Sequence, residues 1–209
     1  MEYSYEKDGN KIYENSFSII RSEANLSGFD SDEEKIVVRM IHAAGLVGLE
    51  NSILFTPDFI KITRKALQDG ANILCDTKMV SEGITRSRLP KKNNVICTLG
   101  HKEVPNLAKE IGNTRTAAAI HFWEDYINNS IIVFGNAPTA LFYFLEILSK
   151  RNDLCPIAVI GCPVGFVGAA ESKEALSMRG EINSLIVKGR LGGSAVAVAA
   201  VNALAQEKE

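Results

Sequence analysis

The sequence predicts a three-layer α/β/α domain spanning residues 1–209, with about five parallel strands and extra helices at the N-terminus. Three observations carry this reading. From residue 72 onward, short apolar runs alternate with helix-like segments, the pattern of strands joined by crossover helices. The runs are continuously apolar rather than alternating with polar residues, as in a parallel sheet covered on both faces. Residues 1–70, by contrast, read mostly as helices, and 209 residues suit one large α/β domain.

Residues 11–24 form the first predicted helix. Ile12, Phe17, Ile19 and Ile20 make its apolar face, and Arg21 and Glu23 lie off it. Ser31 opens a second, with Glu34 three residues on completing a capping box. Val37, Val38, Ile41 and Leu46 are its apolar positions, and Gly45 or Gly48 stops it. Thr56, Pro57 and Asp58 start a third, with a capping threonine before a proline at the first helical position, and Gly70 ends it. The strands are expected at 73–75, 95–97, 131–134, 157–160 and 185–187. Helices are expected at 103–126, 138–150, 168–178 and 194–206, the second of these opened by Pro138.

The composition excludes some classes of function. With 46% hydrophobic and 23% charged residues the chain reads as an ordinary soluble globular protein. A net charge of −2 and a pI near 6.0 argue against a dedicated nucleic-acid binder. The Ala/Val run at 195–205 suits a buried helix better than a membrane span. No signal-peptide core follows the polar N-terminus, so a cytoplasmic location is expected. Cys75, Cys97, Cys155 and Cys162 fit neither CxxC pairs nor a disulfide framework and read as reduced, small core residues.

Ligands of open α/β sheets bind beyond the carboxyl ends of the strands. The turns there are 76–79, 135–139, 161–168 and 189–194, three of them glycine-containing. Glycine lets a ligand approach the backbone, and free helix N–H groups attract anions. Tight connections also need glycine, so each turn alone is equally a structural one. None matches GxGxxG with a downstream acid, or GxxxxGK[ST]. Arg86, Arg88, Arg115, Lys173 and Arg190 lie near these turns and could hold carboxylates in paired hydrogen bonds, or simply solvate helix ends.

Of three histidines, His101 in a polar loop and His121 beside Phe122 and Trp123 read as structural or surface groups, and the three together make no metal site. His42 has a different setting, at the end of the second helix and followed by small residues that leave room for a bulky ligand. A helix C-terminus favours imidazolium, and a guanidinium one turn away at Arg39 opposes it. Imidazole ordinarily titrates near neutrality, which suits proton transfer in both directions. A core role remains open on spacing alone.

Several segments together resemble the precorrin-8X methylmutase family, including its cobalt-precorrin-8 branch. They are Ser16-Phe17 with Ile19-Ile20-Arg21, Arg39-Met40-Ile41-His42-Ala43, Ile73-Leu74-Cys75-Asp76, Gly83-Ile84-Thr85-Arg86 and Ile111-Gly112-Asn113-Thr114-Arg115. Gly135-Asn136-Ala137-Pro138-Thr139-Ala140-Leu141, the long stretch from Pro163 to Lys173 (PVGFVGAAESK), and Gly189-Arg190-Leu191-Gly192-Gly193-Ser194-Ala195 complete the match, in order and over essentially the whole chain.

The resemblance implies an isomerase of cobalamin biosynthesis with a flavodoxin-like sheet. It would move a methyl group from C-11 to C-12 of a large anionic tetrapyrrole, giving hydrogenobyrinate or cobyrinate, by a suprafacial 1,5-sigmatropic shift. No cofactor and no protein-bound metal are implied. His42 falls on the family histidine and would protonate the substrate and recover the proton. Ser16 and Arg39 are implied to contact substrate near it, and Thr85 and Arg115 to hold or polarise the macrocycle. Arg86, Asn136, Thr139, Arg190, Gly192, Gly193 and Ser194 complete the expected binding set. The implied assembly is a homodimer with active sites near its interface, and neither nucleic acid nor membrane is an expected partner. Two rivals remain: a tetrapyrrole carrier without chemistry, and a nucleotide-dependent α/β enzyme using the glycine turns.

Overall fold

The computed structural model describes residues 1–206. Asp8 accepts from the Asn10 and Lys11 N–H groups and starts helix α1 (Gly9–Glu23). Of its predicted apolar face, Phe17 and Ile20 are buried, but Ile12 and Ile19 are 46% and 55% exposed. Helix α2 (Ser31–Ala44) is capped one residue earlier than the sequence suggests. Asp30, not Ser31, is the cap, and Glu33, not Glu34, closes the box. The pattern fits both registers; Glu34 is instead engaged by Arg21 at 2.7 Å. Gly45, left-handed at φ 61°, ends the helix.

Strand β1 (Ile53–Phe55) has no clear signature in the sequence. It pairs antiparallel with the last strand at the sheet edge. Thr56 extends this pairing, its N–H reaching the Ser184 carbonyl and its hydroxyl accepting from the Ser184 N–H. Thr56 is therefore not the cap of α3 (Phe59–Asp69), which begins later, after a turn at Asp58 with φ 59°. Gly70, at φ 92°, ends α3 as expected.

Then follow β2 (Asn72–Cys75), α4 (Lys78–Gly83), β3 (Val95–Ile96), α5 (Val104–Glu110), α6 (Arg115–Ile120) and β4 (Ser130–Phe134). The single helix expected over 103–126 is broken. Gly112 turns left-handed (φ 60°), and Thr114 caps a new helix by accepting from the Ala117 N–H. After it come α7 (Pro138–Lys150), β5 (Ala158–Gly161), α8 (Ala169–Ser177), β6 (Ser184–Val187) and α9 (Ser194–Ala205).

Among the described residues the sheet has six strands in the order β1-β6-β5-β4-β2-β3, all parallel except β1. Counted along the chain, the five parallel strands have the flavodoxin-like order 2-1-3-4-5. Strand alternation divides the interior. Ile73, Ile131, Val133 and Ile160 pack towards α2, α3 and α9. Leu74, Ile132, Phe134 and Val159 pack towards Trp123, α7 and Leu176 of α8. Three layers result, with α1 laid outside α2. The cysteines are all free; Cys75 and Cys162 are buried and Cys97 half-buried, but Cys155 is exposed rather than in the core.

Candidate active site

The order of the strands reverses between β2 and β4, which opens a crevice beyond their carboxyl ends. The protein fills the innermost part of it with its own carboxylate. Asp76, just past β2, is 1% exposed and accepts from the N–H groups of Gly135, Asn136 and Ala137 at 3.1, 2.8 and 2.8 Å. Burial pushes the Asp76 carboxyl above its usual range, against the pull of those three donors. Asp76 thus occupies the anion position at the start of α7.

His42 lies in the last turn of α2. Its Nδ1 is 2.7 Å from the Ser16 hydroxyl of α1, and the Tyr13 and Phe17 rings lie 5.4 and 5.5 Å from the imidazole. Tyr13, Ser16 and Phe17 share one helical face by their spacing of three and four, so a single helix fixes the ring on this side. The half-buried His42 opens on a cavity of about 370 Å³ bounded by Tyr13, Arg39, Met79 and Arg88 and by Ser194 and Asn202 of α9. A wider hollow of about 830 Å³ shares Tyr13, Arg39 and Arg88 with it and adds Arg21. Arg39 also lies over the Phe17 ring, 5.3 Å from its centroid. One imidazole held by a hydroxyl that can either donate to or accept from its Nδ1, beside several guanidinium groups, can exchange a proton with a bound polyanion.

The structure gathers only part of the predicted set here. Arg39, His42 and Ser194 line the cavity, and Ser16 stands behind His42, lining the hollow on its other side. Thr85 joins through its backbone N–H, 2.9 Å from Oδ1 of Asn202. Arg86 is not among the residues lining the cavity; its Nη1 donates to the Ser81 and Ile84 carbonyls at 2.7 Å each. Arg115, Asn136 and Thr139 belong to a second group, where the hydroxyls of Thr114 and Thr139 meet at 2.8 Å. Arg190 lies in a third, its guanidinium 5.2 Å from the Phe166 ring centroid. Gly192 and Gly193 lead directly into Ser194. His101 and His121 are surface groups, as expected: His101 stacks on Phe122 and His121 lies beside Glu124.

Tyr13, Met79 and Asn202 are cavity residues outside the predicted set, and Arg88, named only among the arginines near the strand-end turns, lines the cavity too. Only Tyr13, one turn before Ser16, could have been reached from periodicity. Gly192 shows how tight the framework is. At φ 137°, a Cβ there would sit 2.3 Å from the Cys162 carbonyl oxygen. Gly192→Ala is expected to lower stability by about 2–4 kcal/mol through clash and backbone strain, read as a lower urea midpoint.

The family model for precorrin-8X methylmutase matches residues 11–207. The chain belongs to the precorrin-8X methylmutase family. A precorrin-8X methylmutase of Sinorhizobium sp is 53% identical over 206 residues, 98% of each chain. One of Pseudomonas aeruginosa is 54% identical over 98% of this chain and 99% of its own. A cobalt-precorrin-8 methylmutase of Leptospira interrogans is 36% identical, with 94% and 92% covered. The solved precorrin-8x methyl mutase of Thermus thermophilus superposes with a TM-score of 0.84 at 36% identity, covering 94% of this chain and 95% of that one. As a methylmutase the chain is an isomerase, an intramolecular methyl transferase of cobalamin biosynthesis.

Proposed function

We propose that this methylmutase moves a methyl group from C-11 to C-12 of precorrin-8X, with His42 lending one proton to the macrocycle and taking it back. The observation that carries the reading is the His42 ring, held by Ser16, at the wall of a cavity shared with Arg39 and Arg88. The bond from C-11 to the methyl carbon breaks as the bond from C-12 forms, so atoms and electrons balance within one molecule. The arginines suit the substrate's carboxylates. The cobalt-free substrate is favoured because two relatives more than half identical carry its name, whereas those named for the cobalt form are 34–38% identical. A nucleotide reading fits less well, because a phosphate at the start of α7 would meet the Asp76 carboxylate.

The proposed assembly is a homodimer formed in the cytoplasm. Exposed Ile12, Ile19, Leu46 and Val47 line an apolar hollow of about 410 Å³ on the other side of His42, and a second copy would cover it. No described helix is long and apolar enough to cross a membrane.

Incubating the purified enzyme with precorrin-8X, and separately with its cobalt form, tests the reading through the visible spectrum. Conversion of the cobalt-free form is expected to be the faster. Unchanged spectra with both would sink the enzymatic assignment. Ser16→Ala removes the Nδ1 partner and is expected to lower kcat/KM about 5- to 10-fold, the weight of about one hydrogen bond of orientation. The same absorbance assay measures it.

A further inference from the structure

Lys173 has no part in the chemistry above, yet its burial needs an explanation. It lies on α8, is 1% exposed, and its Nζ donates to the Pro163 carbonyl at 2.7 Å and the Leu191 carbonyl at 2.5 Å. An ammonium group is costly to bury, and an apolar side chain of similar length would fill the same space more cheaply. Burial accordingly pushes Lys173 down to about 8.

What the ammonium joins is specific. Pro163 and Leu191 belong to two loops, 162–168 after β5 and 188–193 after β6. The loops pair by backbone, the Gly193 N–H to the Cys162 carbonyl at 2.8 Å and the Gly165 N–H to the Arg190 carbonyl at 3.2 Å. The Cys162 carbonyl is packed so closely on Gly192 that no side chain fits between. The Lys173 ammonium adds a third tie that bridges both loops at one atom. Phe166 and Val167, at the tip of the first loop, are 83% and 89% exposed, so apolar burial does little to hold that tip. The second loop carries Arg190 and runs into Ser194, whose helix forms the α9 wall facing His42.

We propose that Lys173 is a positioning residue for substrate binding: its ammonium locks loops 162–168 and 188–193 into one unit that sets the first turn of α9 against the macrocycle. The inference rests on the function proposed above. Because His42 is held by α1 and α2, not by these loops, Lys173 governs capture of the substrate more than the migration step.

Lys173→Met, similar in length but without donors, is the test. KM is expected to rise about 10-fold while kcat stays within about 3-fold, the pattern of lost binding rather than lost transition-state contact. Amide exchange at Gly165 and Gly193 is expected to quicken about 10-fold or more, with Ile132 and Val159 in the central strands unchanged. A folded variant with wild-type KM and loop exchange would overturn the proposal, as would a fall in kcat at constant KM. If the variant does not fold, wild-type enzyme decides. Saturating product should slow exchange at Gly165 and Gly193, and no slowing overturns the proposal. Wild-type enzyme that fails to convert substrate sinks the function itself. Normal wild-type turnover beside an unaltered Lys173→Met sinks only the role of Lys173.

Discussion

His42→Ala is expected to slow methyl migration by about 10²–10⁴-fold, the range a positioned general acid–base group supplies. Binding of the macrocycle should change much less. The arginines that line the cavity, Arg39 and Arg88, are carried by α2 and by the segment after α4, and Arg39 also lies over the Phe17 ring. Folding should also survive. His42 is half-buried on the last turn of α2, where alanine is the better helix former, and Gly45 still terminates the helix. The useful comparison is therefore single-turnover absorbance at saturating substrate. A variant that binds precorrin-8X and leaves its spectrum unchanged would separate an enzyme from a tetrapyrrole carrier. A variant as fast as wild type would remove the proton role and leave the family assignment standing.

Much of this architecture is legible in the chain because its signals are local. Pro138 marks the start of α7 to the residue, and Gly45 and Gly70 mark the ends of α2 and α3. The strands show because β4 is buried at all five positions, which only a run of apolar and small residues satisfies. β1 has no such mark. It is three residues long with Leu54 exposed, and its pairing with β6 is decided by residues about 130 positions away. The break at Gly112 is hidden for a related reason. Apolar residues continue on both sides of it, and only its left-handed backbone shows that they belong to two helices.

The site divides in the same way. Ser16 and His42 lie 26 positions apart, and the family motifs name both residues, but no spacing rule predicts their hydrogen bond. Met79 and Asn202 reach one cavity only because α4 and α9 pack together. Arg86 shows the reverse. A motif position with a suitable charge is drawn off by two backbone carbonyls at the end of α4, a demand that composition does not reveal.

Asp76→Ala should have the largest effect on stability. It strips the acceptor from three backbone N–H groups, two of them on buried residues, at the crevice where β2 and β4 diverge. Orphaning several buried donors at once is expected to cost about 3–5 kcal/mol. For a chain of this size that lowers Tm by roughly 10 °C. Asp76→Asn keeps one acceptor oxygen but turns an NH₂ group towards the remaining donors, and should lose about half as much. The damage would not stay local. A Cβ on Gly135 would lie 2.9 Å from Cα of Ser194, so the turn that Asp76 holds is pressed against the first turn of α9 and through it the His42 cavity. The vacated helix start should also recover its affinity for anions, so phosphate should raise the Tm of Asp76→Ala by more than that of wild type. A variant whose Tm stays within about 2 °C of wild type, measured against the usual spread of surface substitutions, would show that those donors find other partners and that Asp76 does not hold the crevice.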